Sequence, residues 1–354
     1  MARPNRVRFL LALSLLHAGM ISVSCERLMP ALGSYDEIHV IADRRPSEEV
    51  MKPLRETFEI PFETVQEETL FHLNPVASKD LAEVDSRKNY LVLVDLSERG
   101  PAFHLAQKTL GAAPLDEAGR SGKASYLFVD NAIARYQTHA FLIAERASAF
   151  PQAARANGRA IRDGFLQSNR RRILEFLLFR GENLTLARTI HERFGWTIQM
   201  PAPFEESAEH VDAGFFSMKM DRPGRLLFVY WADGCENLPD TSRVVALRDS
   251  LGMLYYDEDY VERSRTTAFM GTFQGRPAVR VHGLWQNEKY TIGGPFRSIA
   301  FRDENRGRLY LLDYAVYAPG IAKKYYLWEL ESVIETFRTG SPPAAPSPRT
   351  GAAS

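Results

Sequence analysis

The sequence predicts an α+β protein made of two associated halves, each a mixed or antiparallel sheet packed with helices. Three observations predict it. The run at 90–96, Tyr-Leu-Val-Leu-Val-Asp-Leu, is apolar on both faces, as in a strand covered from both sides in a βαβ arrangement. Between 266 and 317 strand-like stretches alternate with turn residues, as in an antiparallel sheet. Finally, 322–337 carries Tyr326, Leu330, Val333 and Phe337 on one helical stripe, with Lys323, Lys324, Glu331 and Glu335 elsewhere. This C-terminal amphipathic helix should lie on the sheet formed by the strands before it.

The chain opens with an export signal. Arg3, Arg6 and Arg8 form a basic region, and 9–21 is an apolar run too short to span a bilayer comfortably. Ser22, Val23 and Ser24 put small residues directly before Cys25, as a lipoprotein signal peptidase requires, although leucine is commoner where Ser22 stands. The expectation is a lipoprotein signal peptide at 1–24, a lipid-bearing Cys25, and a tether at 25–33. No later stretch reaches about 18 consecutive apolar residues, so the mature body is expected to be tethered at one end, its membrane contact being the N-terminal lipid anchor. Cys25 and Cys235 are the two cysteines, so a lipidated Cys25 leaves Cys235 without a disulfide partner. Lysine plus arginine equal aspartate plus glutamate at 44 each, which removes the electrostatic case for nucleic acid.

The remaining elements follow in order. A strand is expected at 35–42, then a helix from Ser47, with Glu48 and Glu49 at its positive end, to about Phe58. Strands at 70–74 and 90–96 precede a helix at 102–110 and a glycine-containing loop at 111–123. Strands at 125–134 and 137–145 read as a hairpin, followed by a long helix at 150–179 with Ile161, Phe165, Ile173, Phe176 and Leu177 near helical spacing. Within it, Arg170, Arg171 and Arg172 read as a solvated face rather than a phosphate clamp. A boundary near 180–182 separates an N-terminal half, 34–180, from a C-terminal half, 181–338. The second half is expected to hold a helix at 184–194 ended by Gly195, strands at 196–200, 215–220 and 226–231, and a helix from Thr241 to about Leu251. A hairpin loop at 303–307 and a strand at 309–317 complete the sheet. The tail at 339–354 is proline, serine, alanine and glycine with almost no large apolar residue, and is expected to be disordered.

Few residues point to chemistry. Carboxylates flank Cys235 at Asp233 and Glu236, which disfavours the thiolate that a nucleophile needs. The histidines are scattered, and no His-x-His, His-Glu-x-x-His or Cys-x-x-Cys pattern offers a zinc site. Glu205, Glu206, Glu209, His210 and Asp212 are the densest group of ligand-type residues, but Pro201 and Pro203 argue for an acidic loop there. Asp257-Glu258-Asp259 lacks the spacing and glycine of a calcium loop and reads as a solvated turn. P-loop, dinucleotide and Gly-x-Ser-x-Gly patterns are absent from the sequence, so neither a metal nor a cofactor is expected.

One stretch stands out. In period-two register Val279, Val281, Gly283 and Trp285 share a face, and Gly293-Gly294-Pro295-Phe296 reads as a flexible corner between two strands. Trp285, Gly293, Gly294, Pro295 and Phe296 are therefore the candidate contact residues, although the same turn chemistry also serves architecture. Cys25, Gly33 to Val40, Gly283-Leu284-Trp285, Gly293-Gly294-Pro295-Phe296 and Tyr317-Ala318-Pro319, followed by a lysine-containing helix, occur in this order. Over nearly all of the mature chain this pattern resembles the bacterial lipoprotein family catalogued as domain of unknown function 4837. The chain departs from that pattern at His282, where arginine is expected, and at Ile292, where methionine is common. The resemblance implies an envelope lipoprotein on the outer membrane, facing the periplasm, with no catalytic residues to carry over. The function expected is a non-catalytic binding or assembly component with an envelope protein as partner. The alternative is a hydrolase of envelope material that uses carboxylates from both halves, such as Glu206 or Asp233.

Overall fold

The computed structural model describes residues 28–83 and 86–340. The expected signal peptide at 1–24, Cys25 and all but the start of the expected tail lie outside the described residues.

The N-terminal half is a three-layer sandwich. β1 (Glu37–Ala42), α1 (Glu48–Phe58), the small hairpin β2 (Pro61–Glu63) and β3 (Glu67–Thr69), β4 (His72–Ala77) and β5 (Asn89–Asp95) come first. They are followed by α2 (Pro101–Leu110), α3 (Ala112–Ser121), β6 (Ser125–Asp130), β7 (Thr138–Ala144) and α4 (Phe150–Phe179). The main sheet has the order β4-β1-β5-β7-β6, parallel throughout except for β6. β5 is its central strand, as its two apolar faces require. Val40, Leu91 and Leu142 meet α1 and α4 on one side, while Ile41, Val92 and Ile143 meet α2 and α3 on the other. Pro75 is tolerated because β4 is an edge strand, where a missing amide breaks no ladder.

α3 stands where a loop was expected. Gly111 and Gly122, both at positive φ, lie at its two ends, and Leu115 and Ala118 pack inward. Glycine here bounds a short helix rather than replacing it. The three arginines of α4 also differ from the expected solvated face. Successive helical residues point about 100° apart. Arg170 accordingly reaches Glu331 of the other half at 2.9 Å, Arg171 pairs with Asp130, and Arg172 turns into the core, 2% exposed.

The C-terminal half contains α5 (Leu184–Phe194), β8 (Trp196–Thr197), β9 (Glu205–His210), β10 (Phe215–Met220), β11 (Gly224–Asp233) and α6 (Thr241–Tyr255). The long strands β12 (Tyr260–Phe273), β13 (Arg276–Asn287), β14 (Ile292–Asp303) and β15 (Arg308–Tyr317) follow, then α7 (Lys324–Ile334) and β16 (Arg338–Thr339). Seven strands form one antiparallel sheet in the order β12-β13-β14-β15-β11-β10-β9. Phe216, Val229, Ile299, Leu312 and Val316 face α5 and α7, and the intervening Phe215, Phe228, Ala300, Leu311 and Ala315 face α6.

β9 replaces the expected acidic loop. Its Glu-Glu-Ser-Ala-Glu-His sequence has no apolar alternation because it is a solvent-washed edge strand. The helix cap is Asp240 rather than Thr241: its carboxylate accepts the Arg243 amide at 2.9 Å, and the helix runs on to Tyr255. The expected strand at 196–200 shortens to β8, which pairs with β16. Arg338 and Thr339 are therefore ordered by pairing, one residue into the stretch read as tail.

The halves are locked together. Trp328 of α7 joins the N-terminal core, with its ring 6.1 Å from Phe62 and 5.9 Å from Phe71. Glu68 of β3 accepts the Lys323 and Lys324 amides at 2.9 and 3.1 Å, so the first half caps the last helix of the second. Lys324 Nζ reaches Asp36 at 2.6 Å. Burial raises the Asp36 carboxyl, but Lys324 and the Ser34 hydroxyl outweigh it and hold the group below its ordinary value. Arg297 and Arg265 of the large sheet donate to the Glu63 and Thr64 carbonyls at 3.0 and 3.1 Å. The amphipathic stripe of α7 does pack on the sheet, and its opposite side is covered as well.

Candidate functional site

The residues singled out at 285 and 293–296 meet across β13 and β14, with Trp285 opposite Gly294 and Gly283 opposite Phe296. They do not form a corner. The reversal is carried by the residues before β14, where Thr291 adopts φ 54°, and both glycines lie within the strand without positive φ. Their lack of a side chain serves close approach instead. A Cβ on Gly294 would fall 1.9 Å from the Val316 carbonyl oxygen, and one on Gly293 would fall 2.7 Å from that of Trp285. Gly283 likewise makes room for the Thr266 hydroxyl and the Phe296 ring, which would lie 2.3 and 2.7 Å from an added Cβ. Trp285 and Phe296 are 2% and 0% exposed beneath α6, so this stretch builds the core of the sheet. Pro295 is buried with Leu284 on the opposite face.

Beside that core lies a polar cluster that sequence reasoning missed. Arg248 of α6 stacks over the Phe296 ring at 4.2 Å and pairs with Asp313 at 3.4 Å, and the Ser298 hydroxyl donates to the same carboxylate. Burial pushes the Asp313 carboxyl up, against the opposing pull of Arg248 and Ser298. Asp259 was read as part of a solvated turn, but it is 6% exposed and accepts Asn287 Nδ2 at 2.7 Å. Asp257 and Glu258 at positive φ form the turn that tucks it inward. Burial raises its pKa to about 6, helped by Asp257 and Asp313 and opposed by Asn287 and Arg248. Asp259 and Asp313 are separated by more than fifty residues in sequence, so no local pattern could have joined them.

This shift has a testable sign. A carboxyl whose folded pKa lies above its unfolded value of 3.8 favours folding below that value, and the benefit disappears as pH rises through about 6. Asp259→Asn, neutral throughout, is expected to match the parent near pH 4 and to melt at a higher temperature near pH 7.5. Thermal unfolding at both pH values checks it, and a variant no more stable at the higher pH would contradict the assignment.

A depression of about 200 Å³ is lined by Thr241, Ser242, Val245, Arg263, Thr266 and Ala268, and one of about 790 Å³ by the 234–240 loop with Arg243 and Leu247. Asp259 and Asp313 line neither. Glu206 is exposed on β9, level with Met218 and Leu227, whereas Asp233 lies six residues beyond Leu227 and is held by Arg308 at 2.6 Å. Six residues of strand span about 20 Å. Paired glycosidase carboxyls stand at most about 10 Å apart, so these two cannot flank one bond. Extended β9 also holds Glu206 and His210 more than about 10 Å apart, too far to share one ion. Glu209 is occupied by Arg193, and no group of three His, Cys, Asp or Glu side chains placed to hold a metal occurs among the described residues.

A different surface lies where the described chain begins. Met29 O accepts the Arg135 amide at 2.9 Å, and the Ala31 amide donates to Arg135 O at 2.7 Å. Lys88 Nζ donates to the Ala31 and Gly33 carbonyls at 3.1 and 2.6 Å. The stretch expected to be a tether is thus hydrogen-bonded to the body from residue 29 onward. The Arg135 guanidinium lies over the rings of Tyr136 and Phe179, at 4.6 and 5.3 Å, and Tyr136 meets Phe176 edge-on.

Comparisons extend to part of the chain. No curated protein matches it. Among solved structures there is partial likeness to a protein from Bacteroides thetaiotaomicron VPI-5482, at 12% identity and TM-score 0.27, over 42% of this chain and 46% of that one. The chain therefore spans less than half the length of that protein. The Saccharomyces cerevisiae Ran-binding protein Mog1p gives 11% identity and TM-score 0.30 over 41% of this chain and 90% of its own. PsbP (CyanoP) from Synechocystis sp. PCC 6803 gives 10% and 0.29 over 41% and 86%. The family match is narrower than the resemblance across nearly all of the mature chain, and the strand at 33–40 lies outside it. Residues 183–336, which carry the large antiparallel sheet with α5, α6 and α7, match the family model described as Domain of unknown function (DUF4837).

Proposed function

We propose that the chain is a lipid-anchored protein of the cell envelope, on the outer membrane facing the periplasm, that acts by binding or assembly rather than catalysis. The observation that carries this reading is the junction between leader and body. A basic region, an apolar run and Ser-Val-Ser lead to Cys25, and four residues later Met29 is already hydrogen-bonded to the folded body. An acyl chain on Cys25 would hold a rigid two-half body directly beside its bilayer. The chemistry-bearing side chains also have structural occupations: Asp313 is held by Arg248, Asp233 by Arg308, and Glu68 by the amides of α7. The expected partner is another envelope protein, which crosslinking in intact cells would identify.

Metabolic labelling with an alkynyl fatty acid tests the anchor. The parent chain is expected to take up label and sediment with membranes, and Cys25→Ser to lose both properties. An unlabelled parent in the soluble fraction, with its leader intact, would overturn the reading.

A further inference from the structure

We propose that the surface around the tether exit, formed by Leu28, Met29, Ile133, Phe176 and Phe179, rests on the bilayer that holds the lipid on Cys25. The inference depends on the anchored reading and adds which face of the body meets the membrane.

Tether length makes the first argument. Three peptide steps separate Cys25 from Leu28, a reach of about 10 Å when fully extended. A body of this size has a radius of gyration near 20 Å. So short a leash cannot bring a distant face to the bilayer, and pinning at Met29 and Ala31 prevents it from lengthening. Whatever surrounds residue 28 is held at the headgroups.

Chemistry makes the second. Met29 and Phe179 are 77% and 72% exposed, and Leu28, Ile133 and Phe176 are each more than a third exposed. Arg135 joins them, since its backbone bonds Met29 and its guanidinium covers Phe179. Arg180 lies 6.0 Å from the Phe176 ring. Arg135 Nη2 also pairs with half-exposed Glu175 at 2.8 Å, so its guanidinium is shared with that carboxylate and Arg180 is the second cation. Exposed apolar side chains beside arginines suit the boundary between acyl chains and phosphates, where stems and rings bury while the charged ends stay at the headgroups. Burial of such side chains is favourable, and the anchor supplies the local concentration that lets partial burial hold.

Met253, 49% exposed at the end of α6, provides the contrast. It lies beyond the opposite face of the large sheet from α7, against which α4 packs. The lipidated chain with Cys235→Ser is prepared with Phe179→Cys or Met253→Cys, each labelled with an environment-sensitive dye. It is then incorporated into vesicles of phosphatidylethanolamine and phosphatidylglycerol containing spin-labelled lipid. The dye at 179 is expected to shift to the blue and to be quenched severalfold more than the dye at 253. Equal, water-like emission from both positions in vesicle-bound protein would overturn the docking face and leave the anchor standing. Protein that carries no lipid and stays in solution would overturn both.

Discussion

Replacing Arg172 by methionine is expected to cost about 3–5 kcal/mol of stability, measured as a lower urea midpoint with an unchanged slope. Methionine fills much of the volume but donates nothing. Arg172 Nη1 donates to the Lys88 and Tyr136 carbonyls at 2.9 and 2.8 Å, Nη2 to Asn89 Oδ1 at 2.5 Å and to Asn169, and Nε to Ser168 O at 3.3 Å. Its charge also lies 5.4 Å from the Tyr35 ring. Burial lowers its pKa to about 10, still far above neutrality, so the side chain remains a charged donor that ties α4 to the starts of β5 and β7. Removing it strands several buried acceptors together, each worth about 1–3 kcal/mol. A loss below about 1 kcal/mol would show that water replaces it and that the cluster is not a keystone of the first half.

Gly294→Ala is expected to destabilise by about 3 kcal/mol or more, through backbone collision rather than lost freedom. The added methyl would fall 1.9 Å from Val316 O, 3.1 Å from its carbon and 3.2 Å from Trp285 Nε1, so β14 and β15 must part where the sheet covers its core. Gly119→Ala in α3 is the matched control. Its Cβ would meet Leu96 Cδ1 at 3.7 Å, an ordinary contact, and φ there is not positive. Alanine at 119 should be neutral or stabilising by up to about 1 kcal/mol. Chemical denaturation of both variants checks the pair, and similar midpoints would refute the collision.

The contrast between these glycines shows what could be read from sequence. Apolar periodicity reported α4, α5 and the central strand β5 closely, because each buries a regular face. It missed β9, whose residues bury almost nothing, and it read α3 as a loop because glycines at a helix end and inside a loop look alike. Gly293-Gly294 marked an unusual place, but the reasons lay in the carbonyls of Trp285 and Val316, each a strand away in space. The triple arginine was visible too, yet the burial of Arg172 depends on carbonyls brought from 88 and 136. Asp259, Asp313 and Arg248 came together through sheet pairing and the docking of α6, which no spacing rule encodes. Local order was legible, whereas long-range companionship was not.

Trp328 and Glu68 also bear on how this polypeptide matures. A nascent chain that has emerged only as far as α4 lacks the indole that fills the gap between Phe62 and Phe71, and its Glu68 has no helix amides to hold. The contacts of the first half are therefore complete only once α7, the last helix among the described residues, is in place. A fragment cut to residues 183–336 would leave that indole bare, so the unit that folds is larger than the unit that relatedness marks out.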